Sequence, residues 1–355
     1  MTFKFLKAQN GDCTIIKYVD DKGIKRNIII DAGLDAAYFD QTNNIFGELK
    51  AEIEDIKTKK ENIDLLILTH IDNDHICGFL KLFEMDDEIP AFIKKVWFNS
   101  GKLIAEELKK KDNKLLQISI QQAGVTNTGV AEGIDFEDFL LKFNFWERKL
   151  ILCGQEHEVH GAKFQILGPT IPQLKKLLKE YNEETGDDTY TGAGGNDWGT
   201  DIESFILEEK AKGFRFSQDY SPKNGSSISF ILELQGKKFV FLGDAHPNPV
   251  AKSLADQGYN ALTPLKVEFL KVSHHGSKAN NNKKLLAAID TDKYLISTNS
   301  VGHGHPHKRT LSRIISKNPN AIFHFNYENV WEGVFNESDR KKYKINACLT
   351  PYLDF

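Results

Sequence analysis

The chain has 355 residues, 40% of them hydrophobic and 27% charged, with a formal net charge of −4. That apolar share supports a sizeable core and excludes a disordered chain, while the slight negative charge excludes a global electrostatic footprint for nucleic acid or anionic membranes. Cys13, Cys77, Cys153 and Cys348 lack C-x-x-C spacing, no stretch has the length and apolarity of a secretory signal or membrane span, and a soluble cytoplasmic protein with no membrane partner is expected.

The N-terminal third opens with three expected strands, over residues 3 to 8, 13 to 19 and 24 to 33, separated by Gly/Asp turns. Residues 62 to 70, NIDLLILTH, form a continuous apolar run of strand length and predict a strand covered on both faces. Residues 94 to 100 predict another. Helical spacing follows from residue 101 to 124, then a mixed segment to about 150. Residues 157 to 169 predict a hairpin strand, and residues 171 to 184 an amphipathic helix. The Gly, Asp, Asn and Thr-rich stretch from 185 to 225 reads as a long insertion or lid. Regular structure resumes with a hairpin over 226 to 234 and 238 to 246, a helix, a strand over 269 to 277, a helix near 282 to 289, and a strand and turn over 293 to 307. No linker divides the chain. The expectation is one domain over 1–355, with insertions near 101–150 and 171–222.

Polar corners recur at the carboxyl ends of these strands, where ligand sites form in layered α/β folds. The first holds His70, Asp72, Asp74 and His75 within six positions. Imidazoles and carboxylates there can converge on cations at about 2.0 to 2.2 Å. Four ligands from one loop exceed what one tetrahedral ion takes, so two adjacent ions are expected. The plain alternative is a solvated turn in which Asp74 caps a helix. Asp244 ends the next apolar run, and one carboxylate can bridge two cations from so stiff a support. His274 and His275 end another strand beside Gly276 and Ser277, as one ligand and one neighbour. His303, His305 and His307 fill a Gly/Pro turn before a helix, suited as cationic donors to a phosphate or carboxylate, His305 foremost. His157 and His160 read as surface residues, and His324 as facing the sheet surface. Lysine-rich runs read as solvated faces.

The order of these corners resembles the metallo-β-lactamase superfamily. The family loop T-H-x-H-x-D-H-x-x-G is matched by Thr69, His70, Asp74, His75 and Gly78, with Asp72 in place of the second histidine. Together with GDC at 11 to 13, IIIDAG at 28 to 33, NGSSISF at 224 to 230, LGD at 242 to 244, LKVSHHGS at 270 to 277 and SVGHGHP at 300 to 306, this is most similar to the hydrolase domain of ComEC-type competence proteins. The resemblance implies an α/β fold, an αββα sandwich, holding two divalent cations. Zinc is expected first, and the harder Asp72 lets manganese or iron compete better with it. It implies that His70 and Asp72 hold one ion and Asp74 and His75 the other, that Asp244 bridges, and that His275 completes the second. Asp31 would orient the metal loop. Asn224 stands where the family usually has a histidine, leaving that place to Asn224 itself, to a water, or to His157 or His160.

The function expected from this pattern is a dinuclear hydrolase acting through a bridging water drawn toward hydroxide. Asp74, His274 and His305 are the expected catalytic residues, and a phosphodiester, which includes nucleic acid, is the expected partner. Two other classes stay open: a weakly active or inactive regulatory subunit, and a lactone or amide hydrolase. Protein partners are not legible.

Overall fold

The computed structural model describes residues 1–111, 129–181 and 195–355. Its core explains the apolar run at 62 to 70. Leu65, Leu66, Ile67 and Leu68 are all 0% exposed. Because side chains alternate along a strand, Leu66 and Leu68 pack into one apolar cluster with helices while Leu65 and Ile67 face a second sheet. Each such burial contributes roughly 1.5 to 3 kcal/mol, which makes this the stiff centre of its sheet.

That sheet has six strands in the order Tyr352–Asp354, Thr2–Phe5, Thr14–Val19, Lys25–Ile30, Leu65–Ile67 and Val96–Trp97. The other has eight, in the order Asn346–Leu349, Ile322–Phe325, Lys293–Ile296, Phe269–Lys271, Lys237–Phe241, Ser229–Leu234, Ala162–Gly168 and Glu156–Val159. Phe3, Ile16, Ile28, Phe164, Phe230, Phe239 and Phe269 fill the seam between them. Helices Glu48–Thr58, Asn73–Met85 and Val130–Leu140 bury residues against the outer face of the first sheet; Pro247–Asp256, Lys283–Ala287 and Lys308–Lys317 do so on the second. The result is the expected αββα sandwich.

In the first sheet Lys25–Ile30, Leu65–Ile67 and Val96–Trp97 run parallel. In the second, Lys237–Phe241, Phe269–Lys271 and Lys293–Ile296 do the same. The loops after these strands carry Asp31, His70, Asp244, His274 and His275, so the polar corners collect along one edge of the sandwich.

Several expectations need correction. The helix predicted over 101 to 124 is described as Gly101–Lys111, and the remainder lies outside the described residues. The amphipathic helix is Ile171–Glu180. Within the stretch read as a lid, Ile202–Lys210 is a helix whose Ile202 and Phe205 are buried. This segment is strapped to the helix Lys308–Lys317: Asp197 accepts from the Lys308 amide at 2.5 Å, Trp198 Nε1 donates to the Pro306 carbonyl at 2.8 Å, and fully buried Lys308 Nζ donates to the Trp198 carbonyl at 2.5 Å and to Asp339 at 2.7 Å, a carboxylate that also accepts from the Ile202 amide. His324 is only 8% exposed, with Nδ1 2.8 Å from Thr350 Oγ1, because the chain after Asn346–Leu349 packs over it.

Candidate metal centre

Backbone geometry sets this centre before any side chain does. Asp31 follows its strand with φ 56°, and His274 and His275 sit at φ 49° and 50°, a left-handed corner that side-chain-bearing residues adopt only when their surroundings hold them there. The metal loop is clasped from the first turn of the chain. The Asp12 amide donates to the Asp74 carbonyl at 3.2 Å, and Gly11 lies so close that a Cβ there would stand 1.8 Å from that oxygen.

Four imidazoles converge on Asp244. His75 Nε2 lies 3.5 Å from Oδ1, and His70, His274 and His275 Nε2 lie 3.7, 3.5 and 3.8 Å from Oδ2. These separations exceed hydrogen bonds but suit ligand atoms that share a cation, since two atoms about 2.1 Å from one ion at a tetrahedral angle are roughly 3.4 Å apart. Asp72 Oδ2 is 3.5 Å from His70 Nε2, and Asp74 Oδ2 is 3.3 Å from His275 Nε2. His70, His75 and Asp244 form one group with ligand atoms within 4.8 Å of one another, and Asp74, His75 and His275 another.

The other ring nitrogen of each histidine reveals its tautomer. His75 Nδ1 lies 2.8 Å from the Asp31 carboxylate and His275 Nδ1 2.9 Å from the Ser297 carbonyl, so both nitrogens donate. Thr69 Oγ1 donates to Asp31 at 2.8 Å and therefore accepts from His70 Nδ1 at 3.1 Å. In each case the Nε2 lone pair points at Asp244. His70 Nε2, His75 Nε2, His275 Nε2 and Asp244 Oδ1 are buried with no hydrogen-bond partner, an arrangement that costs free energy unless a cation satisfies it. The residues fit a pair of divalent ions.

The field of the cluster agrees. Burial penalises the imidazolium of His274 and of His275, yet Asp244 with Asp219 holds the first up at about 9, and Asp12 with Asp244 holds the second at about 10. Burial would raise Asp72, but the adjacent His70 imidazole and the Lys223 charge, 3.3 Å from Oδ1, hold it well below the usual carboxylate range. A site that favours positive charge this strongly is complementary to divalent cations, which on binding would displace the protons from these imidazoles.

All six residues expected to bind metal, His70, Asp72, Asp74, His75, Asp244 and His275, stand in this cluster. His274, expected as the neighbour of a ligand and as a catalytic residue, aims Nε2 at Asp244 as closely as the others do. His305 is brought alongside, its ring centroid 4.8 Å from that of His274. Its expected cationic role is corrected: burial, then the nearby His274, His307 and His275, hold it well below the ordinary histidine value, and His307 is pushed down to about 3. His305 is thus an uncharged imidazole. His157 meets Gln155 and the Trp97 ring, and His160 lies by Asp64, so neither is among the groups around Asp244. Residue patterns gave no notice of Asp219, Lys223 and Asn280, which reach the centre from segments without any metal-like spacing. Asp219 could have been suspected only as a lone acid before the Asn224 turn.

Fold and site together define an αββα sandwich with a buried cluster of imidazoles and carboxylates at one edge that is suited to divalent cations. Residues 7–144 match the family model described as the metallo-beta-lactamase superfamily, and the architecture is the metallo-beta-lactamase fold. Among curated proteins it is similar to ComE operon protein 3 of Bacillus subtilis strain 168, with 25% identity over 277 residues, 76% of this chain and 25% of the relative. The chain therefore spans about a quarter of the length of that relative. Similar solved structures include CmlA, a diiron beta-hydroxylase from Streptomyces venezuelae, at 10% identity and TM-score 0.41 over 99% of this chain and 53% of that one. They also include an isothiocyanate hydrolase from Delia radicum gut bacteria, at 14% identity and TM-score 0.39 over 100% and 99%. No described helix is long and apolar enough to cross a membrane.

Proposed function

We propose that this protein is a dinuclear metallohydrolase of phosphodiesters. The observation that carries the reading is the convergence of four Nε2 atoms on the single buried carboxylate of Asp244. In this reading His70, Asp72 and His274 hold one ion, Asp74, His75 and His275 the other, and Asp244 serves both. Two bound cations would supply Lewis acidity and draw the pKa of a water toward neutrality.

The remaining work falls to side chains of this chain. Lys223 sets a positive charge beside Asp72, which offsets the additional carboxylate of the H-x-D-x-D-H loop and favours an anionic substrate at that edge. His305, uncharged and beside His274, can donate a hydrogen bond to a substrate oxygen without repelling the cations. The strap through Trp198 and Asp197 fixes the turn that presents it. Asn224 stands where the superfamily usually has a histidine, and His274 supplies an imidazole from another corner, which supports an active centre over an inactive subunit.

The test is hydrolysis of bis(p-nitrophenyl) phosphate, a single-stranded DNA oligonucleotide and a lactone, each with added zinc or manganese. Metal-dependent cleavage of a diester is expected, falling by about a hundredfold or more in Asp244→Asn as charge stabilisation is lost. Turnover of the lactone alone would overturn the phosphodiester assignment, and diester turnover undiminished in Asp244→Asn would overturn the metal mechanism.

A further inference from the structure

His274 differs from the other three histidines in what steers it. Their Nδ1 atoms face a carboxylate, a backbone carbonyl and a hydroxyl whose own proton is committed, so the tautomer follows at once. His274 Nδ1 instead lies 3.0 Å from Oδ1 of Asn280, a side-chain amide that could face it with either end.

The surroundings of Asn280 decide which end. It is 0% exposed, and its Nδ2 lies 2.9 Å from Asp219 Oδ2 and 3.0 Å from the Asp244 carbonyl, two oxygens that only accept. Reversing the amide would set an oxygen against both. The NH2 group must therefore face Asp219 and Asp244, which leaves Oδ1 to accept from His274 and requires the proton on Nδ1. Asp219 is itself pinned, accepting from the Ser221 amide at 2.8 Å and from Asn224 Nδ2 at 2.7 Å. Asn224 Nδ2 is thereby engaged with Asp219, and its approach to His274 Nδ1 at 3.4 Å is a secondary contact.

We propose that Asn280, oriented by Asp219, is the positioning residue that makes His274 a metal ligand. By fixing the proton on Nδ1 it leaves the Nε2 lone pair directed at Asp244 Oδ2, the carboxylate oxygen that His70 and His275 also approach. Asn224 then belongs to the support of the imidazole rather than to the ligand set. This rests on the two-ion reading above and names how its first ion is completed.

Zinc titration by calorimetry on the full chain separates the two ideas. The wild type is expected to bind two ions. Asn280→Leu should keep one affinity and lower the other by roughly ten- to a hundredfold, the usual cost of losing the hydrogen bond behind a metal-bound histidine. Asp219→Ala, which leaves Asn280 held only by the Asp244 carbonyl, should weaken the same ion by less. Wild type binding two ions that Asn280→Leu holds equally well would sink this proposal alone. A wild type that binds no zinc would remove it together with the two-ion reading. A measurement independent of any variant is long-range proton-nitrogen correlation of the imidazoles in the zinc-loaded wild type. It should place a proton on Nδ1 of His274 and none on Nε2, and a proton found on Nε2 overturns the assignment.

Discussion

Asp31 binds two parts of the metal loop with one carboxylate: Oδ1 accepts from the Thr69 amide at 2.7 Å, and Oδ2 lies 2.8 Å from His75 Nδ1. It reaches both because its own backbone takes the left-handed conformation at the end of the strand Lys25–Ile30. Asp31→Ala should therefore lower affinity for the ion at His75 by roughly ten- to a hundredfold while the fold persists. Calorimetric titration checks this, and unchanged affinity for both ions would show that the loop is held without Asp31.

Gly11 tests the clasp from the opposite side. A methyl group there would sit 1.8 Å from the Asp74 carbonyl oxygen, and backbone cannot yield as a flexible side chain would. Gly11→Ala should cost roughly 1 to 3 kcal/mol in urea unfolding, as overpacking does, and should displace Asp74 enough to weaken metal binding as well. A variant with the stability and metal affinity of the wild type would mean that the turn carrying Gly11 moves freely.

Lys308 and Asp339 form an ion pair whose side chains are both fully buried, and Asp339 also accepts from the Ile202 amide at 2.7 Å. Breaking one half leaves an uncompensated charge in the interior. Lys308→Met is expected to destabilise by about 3 to 5 kcal/mol, and pairing it with Asp339→Leu should recover part of that loss. A double-mutant cycle in urea measures it; additive effects would contradict direct coupling.

His324 supplies a pH dependence remote from the metal ligands. Burial, and then the Lys293 charge, lower its pKa from 6.5 to about 4. Above pH 6.5 the folded and unfolded states are both neutral at this residue. As pH falls from 6.5 toward 4 the unfolded chain takes up a proton that the folded chain refuses, so stability is lost across that window. Urea midpoints followed across it should fall more steeply in the wild type than in His324→Asn, which keeps a donor toward Thr350 but does not titrate. Equal slopes would rule this contribution out.

By itself the sequence determined the class of the fold and most of the candidate centre. Apolar runs of strand length ending in Asp31, His70, Asp244 and His275 are local features, since burial on both faces and a polar corner are written into consecutive residues. The close resemblance of those corners to one superfamily added their expected division between two ions. Tertiary structure alone decided the rest. The helix Ile202–Lys210 lies in a stretch whose Gly and Asp content reads as loop, and its burial depends on the distant helix Lys308–Lys317. Asp219 and Lys223 come from one segment and Asn280 from another, and a lone polar residue has no periodicity to mark it. The tautomer of His274 likewise depends on which oxygens surround an amide six residues away, a matter of packing in space that no spacing along the chain encodes.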